Sequence, residues 1–156
     1  MNFALQKAVE LGVQTIIPLF SERINYNLSD FSFYNKIKHW NCIIIDACRQ
    51  SKRSSLPFLC YPVHLYKWIK YLFYMKNFVN ITNIVFSLDA ISNFRYLKSS
   101  KYINVVIGSE GGFSLKELFF FKNNNFVKIF LGPRILRTET AVLSGITALQ
   151  IFFGDM

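Results

Sequence analysis

Long apolar runs are missing from this 156-residue chain. Its hydrophobic stretches are broken by Lys or Asn, as in Tyr66-Lys67-Trp68-Ile69-Lys70. None reaches the roughly 18 uncharged positions that a membrane span needs. The Met1 end lacks the basic-then-apolar layout of a secretory signal. Cysteines number three, Cys42, Cys48 and Cys60, an odd count without CxxC spacing, so neither a disulfide framework nor a thiolate metal site is indicated. Cys42 and Cys48 fall in an apolar helical pattern and are expected to be buried, reduced thiols, which suits the cytoplasm. His39 and His64 are isolated from any Cys, His and carboxylate set, and no metal site is expected. His39, beside Trp40, reads as a helix-surface or core-edge residue rather than a base. The glycines do not form G-x-G-x-x-G, so a dinucleotide fingerprint is absent. Acidic residues are scarce too, 9 against 18 Lys and Arg.

A hydrophobic fraction of 52% and an aromatic fraction of 17% exclude a disordered chain. The length is that of one domain able to bury a full core. The formal net charge of +9 and a pI near 9.6 make a polyanion the natural partner. The charge is spread along the chain, with no terminal tail.

Helical and strand patterns alternate. Residues 3–11 read as a short helix with Phe3, Ala8 and Leu11 partly on one face and Gly12 as its stop. Residues 15–19 form a strand candidate that Pro18 confines to an edge or ends. Ser29 or Asp30 caps a helix running to about Gln50, with Phe33, Ile37, Trp40, Ile44 and Ala47 as its amphipathic stripe. A polar loop follows over 50–57 and a short strand over 58–61. Residues 63–78 read as a basic amphipathic helix, packed with solvated lysines, although its mixture of Trp68, Tyr71, Leu72 and Met75 with lysines also suits a membrane surface. Residues 83–88 and 102–107 resemble buried parallel strands. Residues 114–123 form a helix, 127–131 a strand and 140–153 the last helix. This alternation predicts an α/β fold with a mainly parallel sheet flanked by helices, without linker or repeat.

Two stretches carry more specific polarity than connectors need. In Ile107-Gly108-Ser109-Glu110-Gly111-Gly112-Phe113-Ser114 an apolar strand turns into a helix. Ser114 and Glu117 have capping-box spacing, and the glycines permit positive φ and close backbone approach to a ligand. Its place at a strand's carboxyl end is where open α/β sheets collect ligands; a tight turn without a ligand is the competing reading. In Leu131-Gly132-Pro133-Arg134-Ile135-Leu136-Arg137-Thr138-Glu139-Thr140-Ala141, two arginines and a glutamate follow a Gly-Pro turn, a density of chemistry typical of functional loops.

Together these stretches resemble the RsmE family, SPOUT-class methyltransferases acting on 16S ribosomal RNA. Further segments fit in the right order: Gln6-Lys7-Ala8-Val9-Glu10-Leu11-Gly12, Pro18-Leu19-Phe20-Ser21-Glu22-Arg23, Ala47-Cys48-Arg49-Gln50-Ser51-Lys52-Arg53, and Ile146-Thr147-Ala148-Leu149-Gln150. Three departures stand out. Ser109 occupies a position that is usually Pro, and Lys52 one that is often Gly. The family's N-terminal PUA-like barrel is expected to be absent, residues 1–156 being the methyltransferase domain.

The resemblance implies a C-terminal trefoil knot, a homodimer with the final helix in its interface, and methyl transfer from S-adenosylmethionine to N3 of a uridine in 16S rRNA of the small subunit. It implies Arg137, and Arg23 from a neighbouring loop, as stabilisers of the deprotonated uracil. Glu139 would accept the proton or orient an arginine. Cofactor contacts would come from the backbone of Leu88, Ile107, Gly108, Leu131, Gly132 and Leu136, with Glu110, Gly111 and Gly112 shaping the loop. No membrane is implied as a partner. The alternatives are another SPOUT enzyme acting on tRNA or rRNA, and a non-catalytic RNA-binding or ribosome-assembly remnant.

Overall fold

The structure is a computed structural model; it describes residues 1–24, 30–75, 80–90, 92–97 and 100–156. In chain order the elements are α1 (Asn2–Glu10), β1 (Thr15–Ile16), β2 (Leu19–Phe20), α2 (Asp30–Gln50), β3 (Phe58–Leu59), β4 (Val63–His64), α3 (Leu65–Met75), β5 (Ile81–Phe86), a 3-10 turn (Phe94–Tyr96), β6 (Tyr102–Val106), α4 (Leu115–Asn123), β7 (Val127–Ile129) and α5 (Thr138–Phe153). Every strand pair described is parallel, as the alternating pattern predicts.

The central sheet has the order β6-β5-β7. Val85 pairs with Val106 and Phe86 with Ile129, so the carboxyl ends of all three strands lie along one edge. Side chains alternate between the two faces, as the pleat requires. Val85 and Val106 pack with Leu65, Trp68 and Ile69 of α3 and Phe121 of α4. Ile84, Phe86 and Ile129 pack with Leu149 of α5. The sheet is thus covered on both faces, which is why its strands are apolar without polar alternation. Gly145 lets α5 lie close against the sheet: an added Cβ would lie 2.3 Å from a ring carbon of Phe86.

The first half of the chain pairs differently from the single strand expected over 15–19. Pro18 has no N–H to donate, and the strand divides there. β1 pairs with β3 and β2 with β4. The pairing resumes on the far side, where the Val63 amide donates to the Pro18 carbonyl at 3.0 Å. Val63 and His64 therefore form a strand, and the helix expected from 63 begins at Leu65; positions 76–78 of that expectation lie outside the described residues.

Helix α1 turns Ala8 inward as expected, with Leu11 packed against the same cluster, but not Phe3. Ala4, Leu5, Ala8 and Val9 are buried, whereas Phe3 is exposed. Gly12, at φ +84°, stops the helix in a conformation that suits glycine. Arg53 donates to the carbonyls of Val9 at 2.8 Å and Val13 at 3.0 Å, satisfying acceptors at that helix end. Just before it, Lys52 holds the left-handed region at φ +55°. Helix α2 packs Ile44, Ala47 and Cys48 against Val9. Cys48 is buried as expected, but Cys42 is exposed, because that inward stripe turns it to solvent. The Ser29 alternative for the α2 cap lies outside the described residues. Gln150 of α5 donates to the Leu11 carbonyl at 2.5 Å, tying the last helix to the first.

Among the described residues no helix is long and apolar enough to cross a membrane.

Candidate functional site

Three segments leave the carboxyl edge of the central sheet: Ser87–Ala90 after β5, Ile107–Ser114 after β6, and 130–137 after β7. Their adjacency follows from the strand order, since neighbouring parallel strands release their loops side by side. Leu88, Gly108, Glu110, Gly111, Gly112, Gly132, Leu136 and Arg137 all lie on these three segments. Ile107 and Leu131 anchor them by packing with Phe86, Ile129 and Leu149.

The glycine segment is folded on itself. The Gly112 amide donates to the Ser109 carbonyl at 2.8 Å, and Gly112 has φ +63°. A Cβ on Gly108 would sit 3.2 Å from the ring of Phe113. Ser109, where the resemblance leads one to expect Pro, supplies the carbonyl that closes the turn. Ser114 then caps α4: its hydroxyl accepts from the Glu117 amide at 3.1 Å, and the Glu117 carboxylate accepts from the Ser114 amide at 2.8 Å. The capping box read from the spacing is present.

Glu117 does more than cap. It is the one charged residue fully buried among those described, and its second oxygen accepts the Glu22 amide at 2.8 Å. This fastens the Ser21-Glu22-Arg23 loop to the start of α4. Arg23 in turn donates to the Gly111 carbonyl at 2.5 Å. The Glu22 carboxylate accepts from the Tyr66 hydroxyl at 2.8 Å. Hydrogen bonds from Ser114 and then Tyr66 hold the Glu22 carboxyl below its ordinary range. Tyr66 is pushed up to about 12, first by its partial burial and then by the adjacent Glu22 carboxylate. Sequence reasoning singles out Arg23 but not Glu117 or Tyr66 as its supports.

The other side of the site is joined through Thr138, whose hydroxyl donates to the Gly108 carbonyl at 3.1 Å. That bond sets the first turn of α5 against the glycine segment. Arg137 is the N-cap residue of α5. Its side chain is exposed and makes no hydrogen bond or ion pair among the described residues, and the same holds for the half-buried Glu139. Arg23 is therefore held on the glycine loop, whereas Arg137 and Glu139 are brought to the same region without being joined to it.

What this edge can accept follows from its surface. Leu88 is exposed and Leu136 half-buried, so apolar side chains face solvent beside the loops. A Cβ on Gly132, at φ +124°, would meet nothing within 4 Å. The N–H groups of Gly132 and Leu136 find no acceptor among the described residues. Apolar side chains beside unpaired backbone donors are the kinds of group that hold a flat heterocycle. Among the described residues no group of three or more His, Cys, Asp or Glu is placed to hold a metal ion.

Residues 1–150 match the family model for the RNA methyltransferase domain, and the chain belongs to that family. It is 45% identical over 157 residues to the ribosomal RNA small subunit methyltransferase E of Buchnera aphidicola subsp. Schizaphis graminum, covering 100% of this chain and 62% of that protein. The enzyme of the same name from Buchnera aphidicola subsp. Acyrthosiphon pisum is 42% identical, over 99% of this chain and 60% of its own length. This chain thus spans about three-fifths of the length of these curated relatives. Among solved structures, ribosomal RNA small subunit methyltransferase E from Neisseria gonorrhoeae, bound to S-adenosylmethionine, superposes with TM-score 0.86 at 32% identity, over 100% of this chain and 62% of the other. A methyltransferase from Legionella pneumophila, also with this cofactor bound, gives TM-score 0.90 at 32% identity over the same shares.

Proposed function

We propose that residues 1–156 are the methyltransferase domain of an enzyme that methylates N3 of a uridine in 16S rRNA of the small ribosomal subunit, with S-adenosylmethionine as donor. The observation that carries this reading is the joining of Arg23 and the first turn of α5 to the glycine segment, at the edge where three parallel strands end. S-adenosylmethionine supplies a methyl group on a sulfonium, open to in-line displacement. The backbone of Leu88, Ile107, Gly108, Leu131, Gly132 and Leu136 holds its adenosine and methionine parts. Glu110, Gly111 and Gly112 shape the loop around it. That assignment agrees with the free donors of Gly132 and Leu136.

Uracil N3 must lose a proton as it is methylated, and negative charge then spreads onto the ring oxygens. Preorganised cations stabilise such charge without reorganising. Arg137 is free to make that contact, and Arg23 is fixed within the same region by Gly111. Glu139 takes the proton or orients Arg137. Positioning of the two reactants supplies much of the remaining rate. The loop over 130–137 threads past the glycine segment in a trefoil knot. Two chains pair through α5, where Leu143, Ile151 and Phe152 remain exposed. The cytoplasm, where ribosomes assemble, is the site of action.

The test is calorimetric titration with S-adenosylmethionine, followed by methylation of small ribosomal subunits that lack the modification. Saturable binding at one site per chain and methyl transfer to one uridine are expected. RNA binding without cofactor binding by the folded protein would move the assignment to a non-catalytic RNA-binding protein.

A further inference from the structure

Helix α3 has two stripes at the same helical spacing. Leu65, Trp68, Ile69 and Leu72 face the core. Lys67, Lys70, Tyr71 and Tyr74, again at i, i+3, i+4 and i+7, are exposed, with Tyr71 at 59% and Tyr74 at 74%. Solvation explains the lysines. It does not explain two large rings left in water beside them, since exposed aromatics grouped on one face mark contact surfaces.

The neighbouring helix continues the pattern. Helix α4 packs beside α3, with the ring centroids of Tyr66 and Phe120 4.9 Å apart. Its outward side carries Lys116, Phe119 and Lys122, and Phe119 is 65% exposed. Residues 65–75 contain no acid, and the single acid of α4, Glu117, is buried. Glu22 is the carboxylate at the near end of α3, and it is bound to Tyr66. The face is therefore cationic and aromatic together, and α4 begins at the glycine segment of the site.

We propose that the outer face of α3, continued by α4, binds single-stranded RNA, with Tyr71 and Tyr74 stacking on bases and Lys67 and Lys70 meeting phosphates. This rests on the methyltransferase reading and adds to it a track that holds substrate outside the reacting pocket. Lysines beside exposed rings are the pairing that single strands require, because every base has a face to stack and every linkage a charge. Duplex RNA offers no open bases to these rings. An anionic membrane would need an apolar helix face to enter it, and that face of α3 is already committed to the core.

The experiment measures binding of a fluorescent single-stranded RNA oligonucleotide to the whole chain by anisotropy, over a range of salt concentrations. Lys67→Gln/Lys70→Gln is expected to reduce the magnitude of the log affinity against log salt slope by about 1.4, two phosphate contacts on a single strand. Tyr71→Ala and Tyr74→Ala are each expected to weaken binding about tenfold. All four side chains are exposed, so circular dichroism and affinity for S-adenosylmethionine should match the parent protein. Unchanged RNA affinity and slope in these variants would overturn the track while leaving the cofactor reading intact. Loss of cofactor binding in the parent would instead count against the methyltransferase reading. Variants that lose binding to phosphatidylserine vesicles, or change oligomeric state, while keeping RNA affinity would reassign the face to a membrane or to a second copy.

Discussion

The Glu117 carboxylate accepts the backbone N–H of Glu22 at 2.8 Å, across 95 residues of chain. Its other oxygen accepts the Ser114 amide. Both acceptor positions thus face donors in a buried setting. Glu117→Gln puts an NH₂ donor opposite one of them. We expect a loss of about 1–3 kcal/mol, the usual cost of a buried donor left unpaired. Glu117→Ala should cost about 1 kcal/mol more, because the Ser114 and Glu22 amides both lose their acceptor, although the Ser114 hydroxyl still accepts the residue-117 amide. Urea unfolding of the two variants measures both.

Lys52 adopts φ +55° without glycine's freedom. The left-handed region costs an ordinary residue about 1–2 kcal/mol, part of which glycine returns through its looser unfolded chain. Lys52→Gly should therefore raise stability by about 0.5–1 kcal/mol, seen as a higher Tm. A lower Tm would mean that the lysine side chain contributes more than its backbone strain removes.

Gly145 leaves no room for a methyl group against Phe86. Gly145→Ala should destabilise by about 1–3 kcal/mol through overpacking, despite alanine's better helix propensity. Adding Phe86→Leu to Gly145→Ala should cost less than the two single changes summed, since the ring that clashes is gone. A double-mutant cycle by chemical denaturation reads the sign of that coupling.

Tyr66 is raised to about 12 from an ordinary value near 10. The fold favours the neutral phenol. Its contribution is complete below pH 10 and disappears as pH rises toward 12. Alkaline titration of phenolate absorbance, taken as the difference between the parent protein and Tyr66→Phe, should place this one group near the upper value. A midpoint near 10 would mean that Tyr66 donates no lasting bond to Glu22.

Under the proposed chemistry, Arg137→Ala should slow methylation of small subunits about a hundredfold or more, the scale for losing one contact to developing negative charge. Affinity for S-adenosylmethionine should stay within a few-fold, because Arg137 is assigned to the RNA base. Methylation at the parent rate would remove Arg137 from that role.

Local patterns account for what was legible in the chain. Strands β5 to β7 announce themselves as apolar β-branched runs, and Ser114 with Glu117 has capping spacing within four residues. Pro18 marks a strand boundary, but that the pairing passes to Val63 and His64 depends on a partner more than forty residues away. Arg23 stands out by its motif; that Glu117 holds its loop is a contact across 95 residues of chain. Cys42 misleads because its neighbours Ile43, Ile44 and Ile45 are apolar all round, so composition does not say which of them the helix turns inward.

The bond from Gln150 to Leu11 bears on the order in which the molecule assembles. Helix α1 is made well before its partner on α5, whose Gln150 follows Leu11 by 139 residues. Until then Ala4 and Ala8 lack the Val142 and Ile146 surface that they contact in the finished fold. Such late, distant closure slows folding relative to chains built from local contacts. From the making of α1 until α5 emerges, the inner face of α1 therefore stays partly open, waiting for the helix that closes it.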